Sequence, residues 1–136
     1  MSDVSPAVAP VAGDIVRQVR FTQGVVEGVR LFAESLGFVA VRIDLAGCAD
    51  KQCCLGRVAE ALAFPDWFGA NWDALADCLG DLGWRPARGY VLLVEHADEL
   101  RRSVPDEFAT LLDVFAEAGA TWQSRGVAFR VFVDAD

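Results

Sequence analysis

Asp73, Asp77 and Asp81 stand four residues apart in the stretch "FPDWFGANWDALADCLGDLG", residues 64–83. Carboxylates at that spacing on a helix share one face. Such a row can serve acid–base catalysis, hold a divalent metal, keep a protein soluble, or imitate an anion. The stretch also carries Phe64, Trp67, Phe68 and Trp72, and it contains neither Lys nor Arg.

Folding stability does not account for the row. At 100° per residue, Trp72, Leu75, Cys78, Leu79 and Leu82 gather on one side of the helix, and the aspartates lie on the other. Like charges four residues apart cost a helix about 0.2–0.5 kcal/mol per pair. The helix dipole favours Asp73 in the first turn but opposes Asp81 in the last. From residue 58 to residue 84 there are five acids and no basic residue. Solubility would scatter acids among bases, whereas this segment concentrates them.

The other chemistries are poorly served. Asp73 and Asp77 on one helix cannot flank a scissile bond from two sides, as paired catalytic carboxylates do. The chain therefore does not read as an enzyme. Asp73, Asp77 and Glu117 could hold a divalent cation, but the Glu-x-x-His pattern of di-iron sites is missing. Cys48, Cys53 and Cys54 lack the C-x-x-C spacing of zinc or redox sites, and with Cys78 they read as reduced thiols, several of them buried. No Gly-Lys-Ser/Thr follows the glycines at 80 and 83, so there is no phosphate loop. His96, the only histidine, reads as a strand-end residue. No cofactor is implied.

The elements that must position the row follow from pattern. A chain of 136 residues, 54% hydrophobic and 24% charged, fits one globular domain with a core. Residues 1 to about 13 read as a loose tail. Residues 24–37 permit an amphipathic helix closed by Gly37, and "FVAVRIDL" (38–45) reads as a strand. Residues 51–63 read as a helix ended by Pro65. The acidic helix follows, with Asn71 as N-cap and Gly83 as stop. "YVLLVEH" (90–96) reads as a strand covered on both faces, followed by a short helix near 97–102. A long helix begins at Pro105, and "VAFRVFV" (127–133) is the last strand. Strands separated by helices imply a parallel α/β sheet, here of three strands. Trp72 falls on the apolar side and reads as core. Trp67 and Phe68 read as a pair with one ring inward and one outward.

The residues Phe64, Pro65, Asp66, Trp67, Phe68, Gly69, Asn71, Asp73, Ala74, Leu75 and Asp77 resemble the signature loop and helix of the barstar family, intracellular protein inhibitors of barnase-type ribonucleases. "VLLVEH" is similar to the family's middle strand, and "LLDVFAEA" to its long helix. The resemblance runs from residue 38 to 136. It implies that Asp77 enters the ribonuclease active site and takes a substrate phosphate position, with Asp73 and Glu117 as supporting acids. It places Trp67 where a tyrosine stacks on the enzyme's catalytic histidine, and Gly69 and Asn71 in the loop that touches the partner. Ala76 stands where the family's namesake has tryptophan. Trp84 resembles a later contact tryptophan, with two extra residues before it.

The sequence reading is thus an N-terminal tail and helix (1–37) and a barstar-like domain (38–136). The expected function is to block a basic ribonuclease or nuclease-like toxin with the acidic helix, through Trp67, Phe68, Gly69, Asn71, Asp73, Ala76, Asp77, Trp84 and Glu117. The competing readings are an acidic nucleic-acid mimic that binds another basic protein, and a carboxylate metal-binding domain. A net charge of −8 argues against direct contact with nucleic acid or an anionic membrane. Without a signal peptide or membrane segment, the chain is expected in the cytoplasm, and a monomer is the default.

Overall fold

The computed structural model describes residues 15–135; the expected tail, apart from its junction, lies outside them. Four strands form one parallel sheet in the order β1-β4-β3-β2: β1 (Val16–Val19), β2 (Val39–Asp44), β3 (Gly89–Glu95) and β4 (Ala128–Asp134). Among the described residues the helices are α1 (Gln23–Ser35), α2 (Lys51–Ala61), α3 (Trp72–Asp81), α4 (Asp98–Ser103) and α5 (Pro105–Ser124).

The expectation of three strands is corrected by β1. Its sequence, VRQV, has two polar residues in four and shows no apolar run. It is an edge strand, half in water, defined by pairing to β4 from Val16↔Val131 to Val19↔Asp134. That pairing joins residues more than a hundred positions apart, so no local pattern reveals it. The strand is seated by Ile15, which packs so closely on α5 that a Cβ at Gly119 would lie 2.4 Å from Ile15 Cγ2.

The sheet has two unequal faces. On the larger, Val41, Ile43, Leu92, Val94, Phe129, Val131 and Val133 pack with Leu55 and Val58 of α2, Leu75 and Leu79 of α3, and Leu111 and Phe115 of α5. On the other, Val91 and Leu93 meet Val26 and Ala33 of α1. β3 is therefore buried on both faces, as its unbroken apolar run requires. β4 alternates, with Phe129, Val131 and Val133 buried and their neighbours half-exposed. Gly37 (φ 77°) closes α1 in the left-handed region, where glycine carries no Cβ penalty.

The reduced-thiol reading is corrected at one pair: Cys48 and Cys53 form a disulfide, with Cα atoms 5.4 Å apart. A turn in which the Cys48 N–H donates to the Leu45 carbonyl folds the chain back onto the first turn of α2, which Asp50 caps through the Cys53 N–H. Spacing rules for C-x-x-C motifs do not anticipate such a link. Cys54 and Cys78 are free and buried. Burial pushes the Cys54 thiol up to about 12, with Glu107 adding to it. Since the thiolate is the nucleophile, a disulfide reagent at pH 8 should find no fast-reacting thiol in the folded protein, and two after denaturation. A rapid reaction of Cys54 in the native state would contradict its seclusion.

Among the described residues no helix is long and apolar enough to cross a membrane.

Candidate functional site: an acidic helix flanked by tryptophans

α3 is set by local rules at its start and by tertiary contacts at its end. Asn71 caps it, its Oδ1 accepting from the Ala74 N–H at 2.8 Å. The turn after α3 differs from expectation: Leu82, not Gly83, takes the left-handed conformation (φ 47°). Leu82 is 1% exposed, so core burial offsets the strain that glycine would avoid. Asp81 accepts from the Gly83 N–H at 3.2 Å, which gives it a local structural role. The last carbonyls of α3 are met from α5. Trp122 Nε1 donates to Leu79 O at 2.7 Å, and Arg125 Nη1 to Gly80 O at 3.3 Å. The guanidinium also offsets the unfavourable charge that Asp81 brings to this helix end.

The two faces of α3 separate cleanly. Leu75, Cys78 and Leu79 are fully buried. Asp73, Asp77 and Asp81 are exposed, and Ala76 is half-buried beside them. Burial raises the Cys78 thiol above its ordinary value, and Asp77 and Asp81 raise it further.

The loop before α3 holds the aromatic residues. Trp67 is 60% exposed, the largest exposed ring outside α1. It meets Trp84 edge to face at 6.3 Å, and Phe64 packs on Trp84 at 5.9 Å and on Phe68 at 5.0 Å. Trp84 is anchored by its Nε1–H, which donates to Leu62 O at 3.2 Å. The structure thus brings Trp67, in the loop before α3, together with Trp84, three residues after Asp81, although the two are seventeen positions apart in the chain. Phe68 turns inward, supporting the loop. Gly69 and Asn71 are joined by Asn71 Nδ2 donating to Gly69 O at 3.4 Å. Ala63 (φ 54°) and Ala70 (φ 53°) bracket the loop in left-handed conformations. Non-glycine residues held there cost of order 1–3 kcal/mol each and cluster where surrounding structure fixes a functional loop.

α5 supplies the other flank, running parallel to α3. Trp72 is not fully core: it is half-buried at the α3–α5 seam, where its Nε1–H donates to Glu107 Oε2 at 3.0 Å. A buried indole N–H requires such an acceptor. Glu107 was not legible as a partner, because thirty-five residues separate it from Trp72. Glu117 is exposed on the outward side of α5. Asp106 and Asp113, at helical spacings of eleven and four residues from it, share that side. That spacing was available in the sequence and extends the acidic surface beyond the residues first singled out. Nearby cations are tied to backbone: Arg125 as described, and Arg85 through Ala61 O at 3.5 Å. The surface combines fixed carboxylates with two edge-packed tryptophans, a composition suited to a cationic protein surface with apolar elements.

Among the described residues no group of three or more His, Cys, Asp or Glu could hold a metal ion. His96 lies at the end of β3, with Nδ1 2.7 Å from Asp44 Oδ1. That bond raises the His96 pKa above its ordinary 6.5. The Ala46 N–H, and then His96, hold the Asp44 carboxyl below its ordinary 3.8. The raised histidine stabilises the fold fully below pH 6.5 and loses that contribution as pH rises through its folded pKa. The depressed aspartate contributes above pH 3.8 and loses it as pH falls through its own. The pair is therefore at full strength between these values. Asp44→Asn should lower the His96 midpoint in an NMR titration; an unchanged midpoint would contradict the pairing.

The family model described as Barstar (barnase inhibitor) matches residues 38–134. No curated protein matches the chain.

Proposed function

Because the chain belongs to the barstar family of barnase inhibitors, we propose that it binds a basic ribonuclease or nuclease-like toxin one to one and closes its active site with α3. The observation that carries this reading is the division of α3. One face is locked into the core through Leu75, Cys78 and Leu79, and the other presents Asp73 and Asp77 to solvent.

An enzyme that cleaves RNA arranges Lys, Arg and His where phosphate charge develops. Carboxylates on a packed helix complement that cleft and lose little freedom on docking. Asp77 enters deepest and stands in for a phosphate, with Asp73 and Glu117 contacting the cations around it. Trp67, braced by Trp84, lies on an aromatic or imidazole ring of the enzyme. Gly69 and Asn71 form the loop rim, and Ala76 leaves room beside Asp77 that a larger partner side chain can fill. Complementary charge also raises the association rate, an effect that salt screens. The chain is not an enzyme in this reading, needs no cofactor, and works in the compartment where its nuclease would otherwise cleave the cell's own RNA.

The test is capture of the partner from the native cell, followed by titration of its RNA-cleaving activity. A linear fall to zero at one equivalent supports the proposal. A captured partner without nuclease activity favours the alternative of an acidic mimic that binds another basic protein.

A further inference from the structure

The four cysteines fall into two kinds. Cys54 and Cys78 are free and buried, and burial pushes the Cys54 thiol up to about 12. Cys48 and Cys53 are bonded to each other across a sequence separation of 5. Cys48 is fully buried, whereas Cys53, in the first turn of α2, is half-buried. Cys53 is thus the cysteine that solvent reaches.

The bond is not what holds this corner together. The Cys48 N–H donates to Leu45 O at 3.0 Å, which forms the turn. Asp50 Oδ1 accepts from the Cys53 N–H at 2.9 Å and caps α2. Arg57 Nη1 donates to Asp44 O at 2.7 Å, tying α2 to the end of β2. Leu45, Leu55 and Val58 anchor both segments in the main core. None of these contacts uses a sulfur atom. They hold the two Cα atoms 5.4 Å apart, within bonding range, independently of the cross-link. A link over so few residues also removes less chain entropy than one closing a long loop. It can therefore open and close without loss of the fold.

We propose that Cys48 and Cys53 form a reversible thiol–disulfide couple, in which a hydroperoxide oxidises Cys53 and Cys48 resolves the product. In the reduced protein the Cys53 thiolate attacks the O–O bond of the peroxide. Sulfur takes one oxygen as Cys53–SOH. The other oxygen leaves as hydroxide, or as alkoxide from an organic peroxide, and picks up a proton. The Cys48 sulfur then attacks the sulfenic sulfur. The S–S bond forms, and the hydroxyl leaves with the Cys48 proton as water. Two thiols are oxidised to a disulfide, and hydrogen peroxide is reduced to two waters. A dithiol reductant reopens the bond and is itself oxidised to a disulfide.

Accessibility and placement assign the roles. The sensing thiol of such a pair is reached by solvent and has a resolving thiol beside it. Cys53 meets the first condition and Cys48 supplies the second. The first turn of a helix favours a thiolate; Lys51 adds a cation to that turn, and Asp50 an anion. The half-burial of Cys53 selects a small oxidant over a bulky disulfide. Cys54 does not compete as the resolving thiol. One residue on, a helical side chain turns by about 100°, and that of Cys54 enters the core.

The test uses the full chain, reduced with a dithiol and desalted without air, and maps each sulfur by alkylation and mass spectrometry. The reduced protein should stay folded, with a melting temperature lower by less than about 10 °C. Cys53 alone should alkylate rapidly. An equimolar amount of hydrogen peroxide should restore the Cys48–Cys53 bond and leave Cys54 and Cys78 as thiols. In Cys48→Ser the oxidised Cys53 should persist as a sulfenic acid, captured by a dimedone probe. Cys53→Ser should consume peroxide at least ~10-fold more slowly than the reduced wild type. Unfolding on reduction would make the bond a structural one and overturn the proposal. So would a reduced, folded wild type whose Cys53 is inert to peroxide, or one that oxidises without forming the Cys48–Cys53 bond. No outcome involves the nuclease, so the inhibitory reading stands or falls separately.

Discussion

Asp77→Ala should weaken binding to the cognate nuclease by about 2–5 kcal/mol, roughly 30- to 5000-fold, while thermal unfolding stays where it was. The range is that for truncating one member of a desolvated charge pair, a rule whose reference case is the barnase–barstar complex itself. Much of the loss comes from the enzyme: cations that Asp77 would neutralise remain buried and unpaired. The expected neutrality toward folding comes from the free chain. Asp77 is exposed and makes no hydrogen bond or ion pair within the described structure. Removing it also relieves repulsion from Asp73 and Asp81, about 0.2–0.5 kcal/mol each. Calorimetric titration and a thermal melt measure the two quantities. Unchanged affinity would show that α3 is not the docking element, and a large drop in melting temperature would show that Asp77 is structural.

Leu75→Ala, on the reverse of the same helix, should do the opposite. Leu75 is fully buried with Leu79, Leu111 and Phe115 in the main core. Truncation there should cost about 2–5 kcal/mol of folding stability, the spread reflecting how far the cavity collapses. The molecules that remain folded still present Asp73 and Asp77. Affinity for the nuclease, corrected for the folded fraction, should therefore change by less than about tenfold. Chemical denaturation gives the stability loss, and inhibition assayed well below the melting temperature gives the affinity. If Leu75→Ala loses affinity as Asp77→Ala does while remaining fully folded, the helix does not act as a rigid mount.

The contrast between these residues was readable from sequence because helical periodicity separates position 75 from position 77 by 200°. The Asn71 cap and the continuous apolar run of β3 were equally legible, since both are local effects. What escaped was long-range. β1 has too little apolar character to read as a strand, and only β4 makes it one. The Cys48–Cys53 bond depends on how the loop after β2 folds back. Leu82 takes the left-handed position that glycine rules assign to Gly83, because core burial at that site outweighs the backbone cost. At the candidate site, Asp73, Asp77 and Trp67 were visible as types and spacings. The edge-to-face contact of Trp67 with Trp84 and the Trp72–Glu107 bond were not, since each depends on separate segments meeting.

If carboxylates of α3 take the place of RNA phosphates, as proposed, a substrate analogue in the nuclease active site must compete with the protein. The captured nuclease is saturated with a non-cleavable deoxydinucleotide, and the protein is then titrated in. Binding should be mutually exclusive: the apparent dissociation constant should rise in proportion to the concentration of the dinucleotide. Simultaneous binding, with an affinity indifferent to an occupied active site, would contradict it.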